Sequence, residues 1–369
     1  MSQTHTQQTQ TVRLAVIPGD GIGPEVVEAA RRAVEATGVA VEWDHQDMGA
    51  GIFARIGDPL PAATLASIRS TGVALKGPVE TPVTSGMRSV NLALRRELEL
   101  FACVRPCRLY PGVPAYYDAV DIVVVRENIE DMYSGIEFEE GTAATTELIR
   151  FVSETSGQEM RADTGISVKT ISEFGSERIV RFAFELAIHQ GRKALTAGHK
   201  ANIMKFTDGL FLETARRVAE EHPQIAFDDR IIDALCMQLI QSPERFDVLV
   251  LPNFYGDVVS DVAAGLIGGL GVAPGGHVGE KSAVFEATHG TAPRLAGRNR
   301  ANPVGITLSA AMMLRHIGED DAGDRLEAAV ADMLAEGTYL TDDLRWTGDD
   351  RLPATTLQVA DAIIERLTA

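Results

Sequence analysis

The stretch TVRLAVIPGDGIGPEVVEAARRAVEA, residues 11–36, decides the fold class. Val12 to Pro18 is apolar and partly β-branched, and reads as a buried strand. Glycines follow at 19, 21 and 23. Pro24 stands where a first helical turn tolerates it, and a helical pattern runs on to Ala36. A standard Rossmann loop needs G-x-G-x-x-G, but here Pro24 and Glu25 occupy the turn into the helix. The segment is expected to be a tight strand-to-helix loop beside the active cleft.

Outward from this unit the alternation continues. Val73 to Lys76 and Asp121 to Val125 read as strands with helical stretches between them. A strand is expected over 201–204, a helix over 208–221 and a strand over 248–251. The last third reads as helices over 303–316, 323–336 and 355–367. Apolar strands alternating with helices indicate an α/β fold with a largely parallel sheet. The 369 residues suit two domains. No flexible linker separates them, so interleaved segments with a hinge are expected. The glycine-rich stretch 265–276 is a candidate hinge arm.

Composition narrows the function. With 34 Lys plus Arg against 52 Asp plus Glu, the net charge is −18. A nucleic-acid partner needs a basic face, and an anionic membrane repels such a chain. Cys103, Cys107 and Cys236 form no disulfide framework and no zinc pattern. The polar N-terminus, MSQTHTQQTQ, has neither a basic start nor an apolar run, so a disordered tail and a cytoplasmic protein are expected. The apolar run 262–276 is broken by glycines and a proline, and reads as core rather than a membrane span.

The strongest local chemistry lies in Asn253-Phe-Tyr-Gly-Asp-Val-Val-Ser-Asp261. It follows a strand, so Asp257 and Asp261 fall near a helix start, four apart and on one face. Two such carboxylates repel unless a cation bridges them, and hard oxygen ligands suit Mg²⁺ or Mn²⁺. Acidic residues in a first helical turn are the alternative. Arg95, Arg105 and Arg126 are candidate clamps for a polycarboxylate, because guanidinium bonds carboxylates bidentately. Spacing does not show that they meet. Tyr133 and Lys205 lie in turn-like or strand-end contexts and are candidate proton carriers. The loop FEATHGTAP at 285–293 has small side chains that permit close backbone approach to a cofactor.

Taken together, the blocks GDGIGPE at 19–25, SVNLALRRELELFACVRP at 89–106, RENIEDMYSGIE at 126–137, NIMKFTDG at 202–209, NFYGDVVSD at 253–261 and FEATHGTAP at 285–293 resemble one family. It is the β-decarboxylating dehydrogenases, which include isocitrate, isopropylmalate and homoisocitrate dehydrogenases. The resemblance runs from about Val12 to the C-terminus. It implies two α/β domains, a large one from 1–100 and 268–369 and a small one from 101–267 carrying dimer contacts. It implies a non-Rossmann dinucleotide site formed by Thr81, Glu286, His289, Gly290, Thr291, Ala292, Arg294 and Asn302.

The resemblance also implies roles. Asp257 and Asp261 would bind the metal in one subunit of a homodimer, with Asp233 reaching it from the neighbour. Lys205, also from the neighbour, resembles the base for the substrate hydroxyl, and Tyr133 the acid for the enol carbon. Arg95, Arg105 and Arg126 match the carboxylate clamps. Ser89 and Asn91 match isocitrate-type enzymes, where they bond a third carboxylate; isopropylmalate enzymes are apolar there. The implied reaction is oxidative decarboxylation of isocitrate with hydride transfer to NAD⁺ or NADP⁺. Homoisocitrate, isopropylmalate or an isocitrate analogue are the alternatives, and a non-catalytic regulatory subunit is the reading from another class. Arg294 followed by Leu295 departs from both cofactor patterns: the Arg294 charge favours a 2′-phosphate, whereas Leu295 and Ala301 resemble the NAD pattern more.

Overall fold

The computed structural model describes residues 11–80 and 89–368. Twelve strands are assigned among them: β1 (Val12–Ile17), β2 (Val41–His45), β3 (Val73–Lys76), β4 (Ala102–Arg108), β5 (Asp121–Glu127), β6 (Glu137–Phe138), β7 (Ile166–Ser167), β8 (Ala194–His199), β9 (Ala226–Ile231), β10 (Val248–Leu251), β11 (Gly276–Val278) and β12 (Ala283–Phe285). Ten form one sheet in the order β2-β1-β3-β12-β11-β4-β5-β10-β8-β9, and β6 pairs with β7 apart from it.

The sheet is parallel at both flanks, as expected, but antiparallel in its centre. β11 runs antiparallel to both β12 and β4, and β4 antiparallel to β5. Connection length explains the departure. A parallel return needs a crossover, usually helical. Residues 279–282 form a hairpin link, and no helix lies in 109–120. The expected domain division at 100/101 and 267/268 falls between β4 and β11. These are hydrogen-bonded neighbours, so one sheet runs through both halves.

Side-chain alternation sorts the core by sheet face. On β1, Leu14 and Val16 enter one apolar cluster and Ala15 and Ile17 another. On β5, Ile122 and Val124 enter the first of these, and Val123 and Val125 a third. Between these clusters the row His277–Cys103–Arg126 crosses three adjacent strands in register. A polar stripe therefore interrupts the core at the seam.

The expected strand at 201–204 is a turn: the amides of Ile203 and Met204 both bond the Lys200 carbonyl. The real strand is β8, whose ALTAGH sequence carries little β-branched signal. The other expected elements stand within a few residues of the observed ones, including the helix Gly23–Ala36 and the helix Asn253–Leu266. The apolar run at 262–276 is the end of the latter helix and the short turn Leu270–Val272. Among the described residues no helix is long and apolar enough to cross a membrane.

The opening loop packs as a tight turn. Gly21 has φ +61°, and a Cβ there would lie 2.1 Å from the Thr291 carbonyl oxygen. Ile22 N–H donates to that same carbonyl at 2.9 Å. The loop at 19–25 thus docks on the loop at 285–293. Gly21→Ala should lower stability by about 2 kcal/mol or more, because clash adds to backbone strain. Gly38→Ala, also at positive φ but with nothing within 4 Å, should cost only about 1 kcal/mol. Thermal unfolding of the two variants checks the difference.

Candidate active site

Arg126 on β5 belongs to the polar row, Arg105 stands two residues along β4 from Cys103 and opposite Val124, and Arg95 lies on the helix Val90–Glu97. Arg126 is 1% exposed. Its Nε and Nη2 both donate to Asn253 Oδ1, at 3.0 and 2.7 Å, and its Nη1 pairs with Asp257. Gly256 makes room for it, since a Cβ there would sit 2.5 Å from Arg126 Cγ. Arg105 donates to Ser260 Oγ at 2.5 Å and to Asp261 at 3.2 Å. Arg95 is buried, and its Nε has no partner among the described residues. Burial and the nearby Arg126 charge pull the Arg95 pKa down. The structure therefore brings the three arginines together. Their mutual repulsion is relieved by an anion.

Asp257 and Asp261 lie on the helix Asn253–Leu266, one turn apart as expected. Their environments diverge. Burial opposes the Asp257 charge, but Arg126, the Tyr133 hydroxyl, Arg105 and Arg95 outweigh it and hold that carboxyl below its ordinary range. Burial raises Asp261, Arg105 counteracts, and the Asp257 charge raises it further, for a net upward shift. A bridging cation would favour both as anions, and two hard oxygen donors on one face fit Mg²⁺ or Mn²⁺. Tyr133 donates its hydroxyl to Asp257, and its ring stacks under Arg126 at 4.7 Å. Burial, then the bond to Asp257, pushes its phenol pKa up, so the proton stays on oxygen.

A cavity of about 170 Å³ opens beside the arginines, lined among others by Asn91, Arg95, Arg105, His277, Glu286 and His289. Three of its polar atoms are buried without partners among the described residues: Asn91 Oδ1, Arg95 Nε and His289 Nε2. His289 Nδ1 faces the Gly290 carbonyl at 3.1 Å, which can only accept. Nδ1 therefore carries the proton, and burial keeps the ring neutral. Nε2 is then a free acceptor, suited to an amino group such as that of adenine. Asn302 donates to Asp343 at 3.0 Å and accepts from Val304 N–H at 3.0 Å, starting the helix Val304–His316. Thr291 meets the 19–25 loop, Gly290 has open space where a Cβ would stand, and Ala292 has φ +37°. Arg294 is exposed. Ser89 accepts from Leu92 N–H at 3.4 Å and caps the helix that carries Asn91 and Arg95. Thr81 lies outside the described residues.

Two expected residues stand apart within the single chain. Asp233 pairs with Lys200 at the start of the helix Ile232–Gln241. Lys205 is exposed in the turn after β8. Among the described residues no group of three or more His, Cys, Asp or Glu side chains could hold a metal within one chain. Sequence reasoning missed Asn253, which is 0% exposed and grips Arg126, and Ser260 beneath Arg105. Both lie inside the 253–261 block, yet a small polar residue gives no sign of its partner. It also missed Lys169, which bonds Asp131 at 2.7 Å, while Asp131 accepts from Phe254 N–H at 2.9 Å. That pair anchors the start of the acidic helix.

Fold and site together define an α/β enzyme whose clustered arginines and paired carboxylates suit an acidic substrate. The family model described as isocitrate/isopropylmalate dehydrogenase matches residues 13–363. The chain belongs to the isocitrate/isopropylmalate dehydrogenase family. It is 46% identical to the crystal structure of isocitrate dehydrogenase from Methylococcus capsulatus, with a TM-score of 0.88 over 97% of this chain and 100% of that one. It is 44% identical to isocitrate dehydrogenase (NADP) of Thermus thermophilus over 96% of this chain and 67% of that protein. It is 43% identical to the probable isocitrate dehydrogenase (NAD) subunit alpha, mitochondrial, of Drosophila melanogaster over 90% of this chain and 83% of that protein.

The carboxylate pair makes a pH-dependent prediction. Asp261 holds its proton to higher pH than an ordinary aspartate, so Mn²⁺ affinity should rise with pH through and above the usual carboxylate range. Asp257→Asn and Asp261→Asn should each weaken binding by roughly ten-fold or more. Calorimetric titration of Mn²⁺ across pH checks both statements.

Proposed function

We propose that the chain oxidatively decarboxylates isocitrate, with a divalent cation, in a homodimer whose active sites are shared between subunits. The observation that carries the substrate is the polar lip of the cavity. Asn91 lines the cavity on the helix that carries Arg95, with an amide oxygen unpartnered among the described residues, and turning that amide would present its NH₂ as a donor. Ser89, two residues earlier, keeps a hydroxyl proton to donate. A branched alkyl group placed there would leave these polar atoms unsatisfied. A third carboxylate would satisfy Ser89 and use the arginine charge.

The chain's residues then act in order. Arg95, Arg105 and Arg126 hold the substrate carboxylates and fix its orientation. Asp257 and Asp261, with Asp233 of a second copy, would hold the cation, which supplies Lewis acidity toward the substrate hydroxyl and its adjacent carboxylate. Lys205 of the second copy takes the hydroxyl proton. The carbinol hydrogen leaves as hydride to the nicotinamide, which is the oxidant. Loss of CO₂ leaves electron density on carbon, and Tyr133, kept protonated beside Asp257, delivers a proton to it.

Exposed apolar side chains support the second copy. Ile203 and Phe206 flank Lys205 and are 68% and 92% exposed. Met237 and Ile240 stand on the helix that starts at Asp233, and Phe254 and Val258 on the helix carrying Asp257. These segments adjoin one another through the Lys200–Asp233 pair and the contact between the two helices. A patch of this kind marks an interface.

For the cofactor, NADP⁺ is favoured. Asp342 is paired with Arg345 at 3.7 Å and Arg300 at 3.9 Å, while Arg294 makes no ion pair among the described residues. A free guanidinium attracts a 2′-phosphate. Arg294→Ala should lower kcat/KM for NADP⁺ several-fold and leave NAD⁺ nearly unchanged.

Steady-state rates with isocitrate, homoisocitrate and isopropylmalate, with CO₂ measured alongside reduced cofactor, test the substrate. Isocitrate should give the highest kcat/KM with one CO₂ per reduced cofactor; preference for isopropylmalate would overturn the reading. Site sharing has a sharper test. Lys205→Met and Asp257→Asn should each abolish turnover alone. Mixed and refolded together, they should regain activity, because a hybrid dimer holds one intact site. No recovery despite proven hybrid formation would place both residues in one subunit's site.

A further inference from the structure

A buried chain of hydrogen bonds crosses the seam of the sheet beneath the cavity. Asn128 follows β5, and its Nδ2 donates to the Leu100 carbonyl at 2.8 Å. A carbonyl only accepts, so the bond fixes which end of the Asn128 amide is the NH₂. The same Nδ2 lies 3.1 Å from His277 Nδ1 on β11. That nitrogen must therefore be the acceptor. His277 is then neutral, with its proton on Nε2, which faces Glu286 Oε1 at 2.8 Å. The other Glu286 oxygen pairs with Lys76, which is 0% exposed and also donates to the Gly77 carbonyl at 2.9 Å. His277 is 3% exposed, and both His277 and Glu286 line the cavity.

We propose that His277 is a positioning residue for the nicotinamide cofactor: Asn128 locks it as the Nε2–H tautomer, and in that form it aims the Glu286 carboxylate into the cavity. The direction of every bond in the chain is set from one end. Leu100 orients Asn128, Asn128 orients the imidazole, and the imidazole with Lys76 leaves Glu286 no freedom to rotate. Asn128 belongs to the β5 side of the seam and His277 and Glu286 to the β11–β12 side. The placement of Glu286 is thereby tied to the strand that carries Arg126, two residues before Asn128. Both protein halves then present their groups to cofactor and substrate in one fixed relation. The inference rests on the cofactor role that the family resemblance implies for Glu286.

The test uses the full-length enzyme with ring-¹⁵N histidine and steady-state kinetics. In the wild type, His277 should show an unprotonated Nδ1 and a protonated Nε2. Asn128→Asp replaces the donor with an acceptor, and should convert the ring to the doubly protonated form. His277→Leu removes the bond to Glu286 and should raise cofactor KM by roughly ten-fold or more, with isocitrate KM changed less than about two-fold. His277→Gln keeps a donor and an acceptor at similar spacing, and should restore most of the loss. A wild-type Nδ1–H tautomer would overturn the proposal, as would an unchanged cofactor KM in His277→Leu. Glu286→Gln separates the two ideas. If it raises cofactor KM and His277→Leu does not, the His277 role fails; if Glu286→Gln leaves it unchanged, the cofactor assignment fails.

Discussion

Everything at this site depends on the burial of Arg126 against Asn253 and Asp257. A guanidinium taken out of water is costly unless its donors are bonded. Here Asn253 Oδ1 takes two of them and Asp257 a third. Removing one partner would strand a buried charge. The same contacts fix the acidic helix against β5, and they keep Asp257 ionised beside a Tyr133 that stays protonated. One ion pair thus holds Tyr133, Asp257 and Arg126 in register.

The sheet makes this arrangement possible. Its antiparallel centre lets β4 and β11 meet edge to edge, so residues from distant sequence segments share one transverse row. On either side the core is apolar and closely packed. In the row itself it is polar: His277 bonds Asn128 and Glu286, and Arg126 bonds Asn253 and Asp257. The protein gives up apolar burial at the seam and gains a preorganised site there.

Much of this was legible in the sequence, and the parts that were not have physical reasons. The strand at 12–17, the helix after it and the i,i+4 aspartates at 257 and 261 follow from local pattern, and the structure reproduces them. β8 escaped notice because a buried strand of small residues lacks the β-branched signal. The antiparallel centre depends on which strands become neighbours, and local periodicity does not encode that. Arg95, Arg105 and Arg126 could be named as candidates, but their convergence is a tertiary fact. His277, Asn128 and Lys76 were silent, because a histidine, an amide and a lysine acquire roles only through their partners. Asp233 and Lys205 are the reverse case. Their place was expected from family resemblance, and within one chain they stand apart from the carboxylate pair.

The central claim is that Asp257 and Asp261 form half of a divalent-cation site completed by a second copy of the chain. Anomalous scattering from Mn²⁺ in crystals grown with isocitrate tests it most directly. The account predicts one Mn²⁺ per chain, bonded to Asp257 and Asp261 of one copy and approached by Asp233 of another. Mn²⁺ bound elsewhere, or held between Asp257 and Asp261 with every remaining ligand drawn from the same copy, would contradict it.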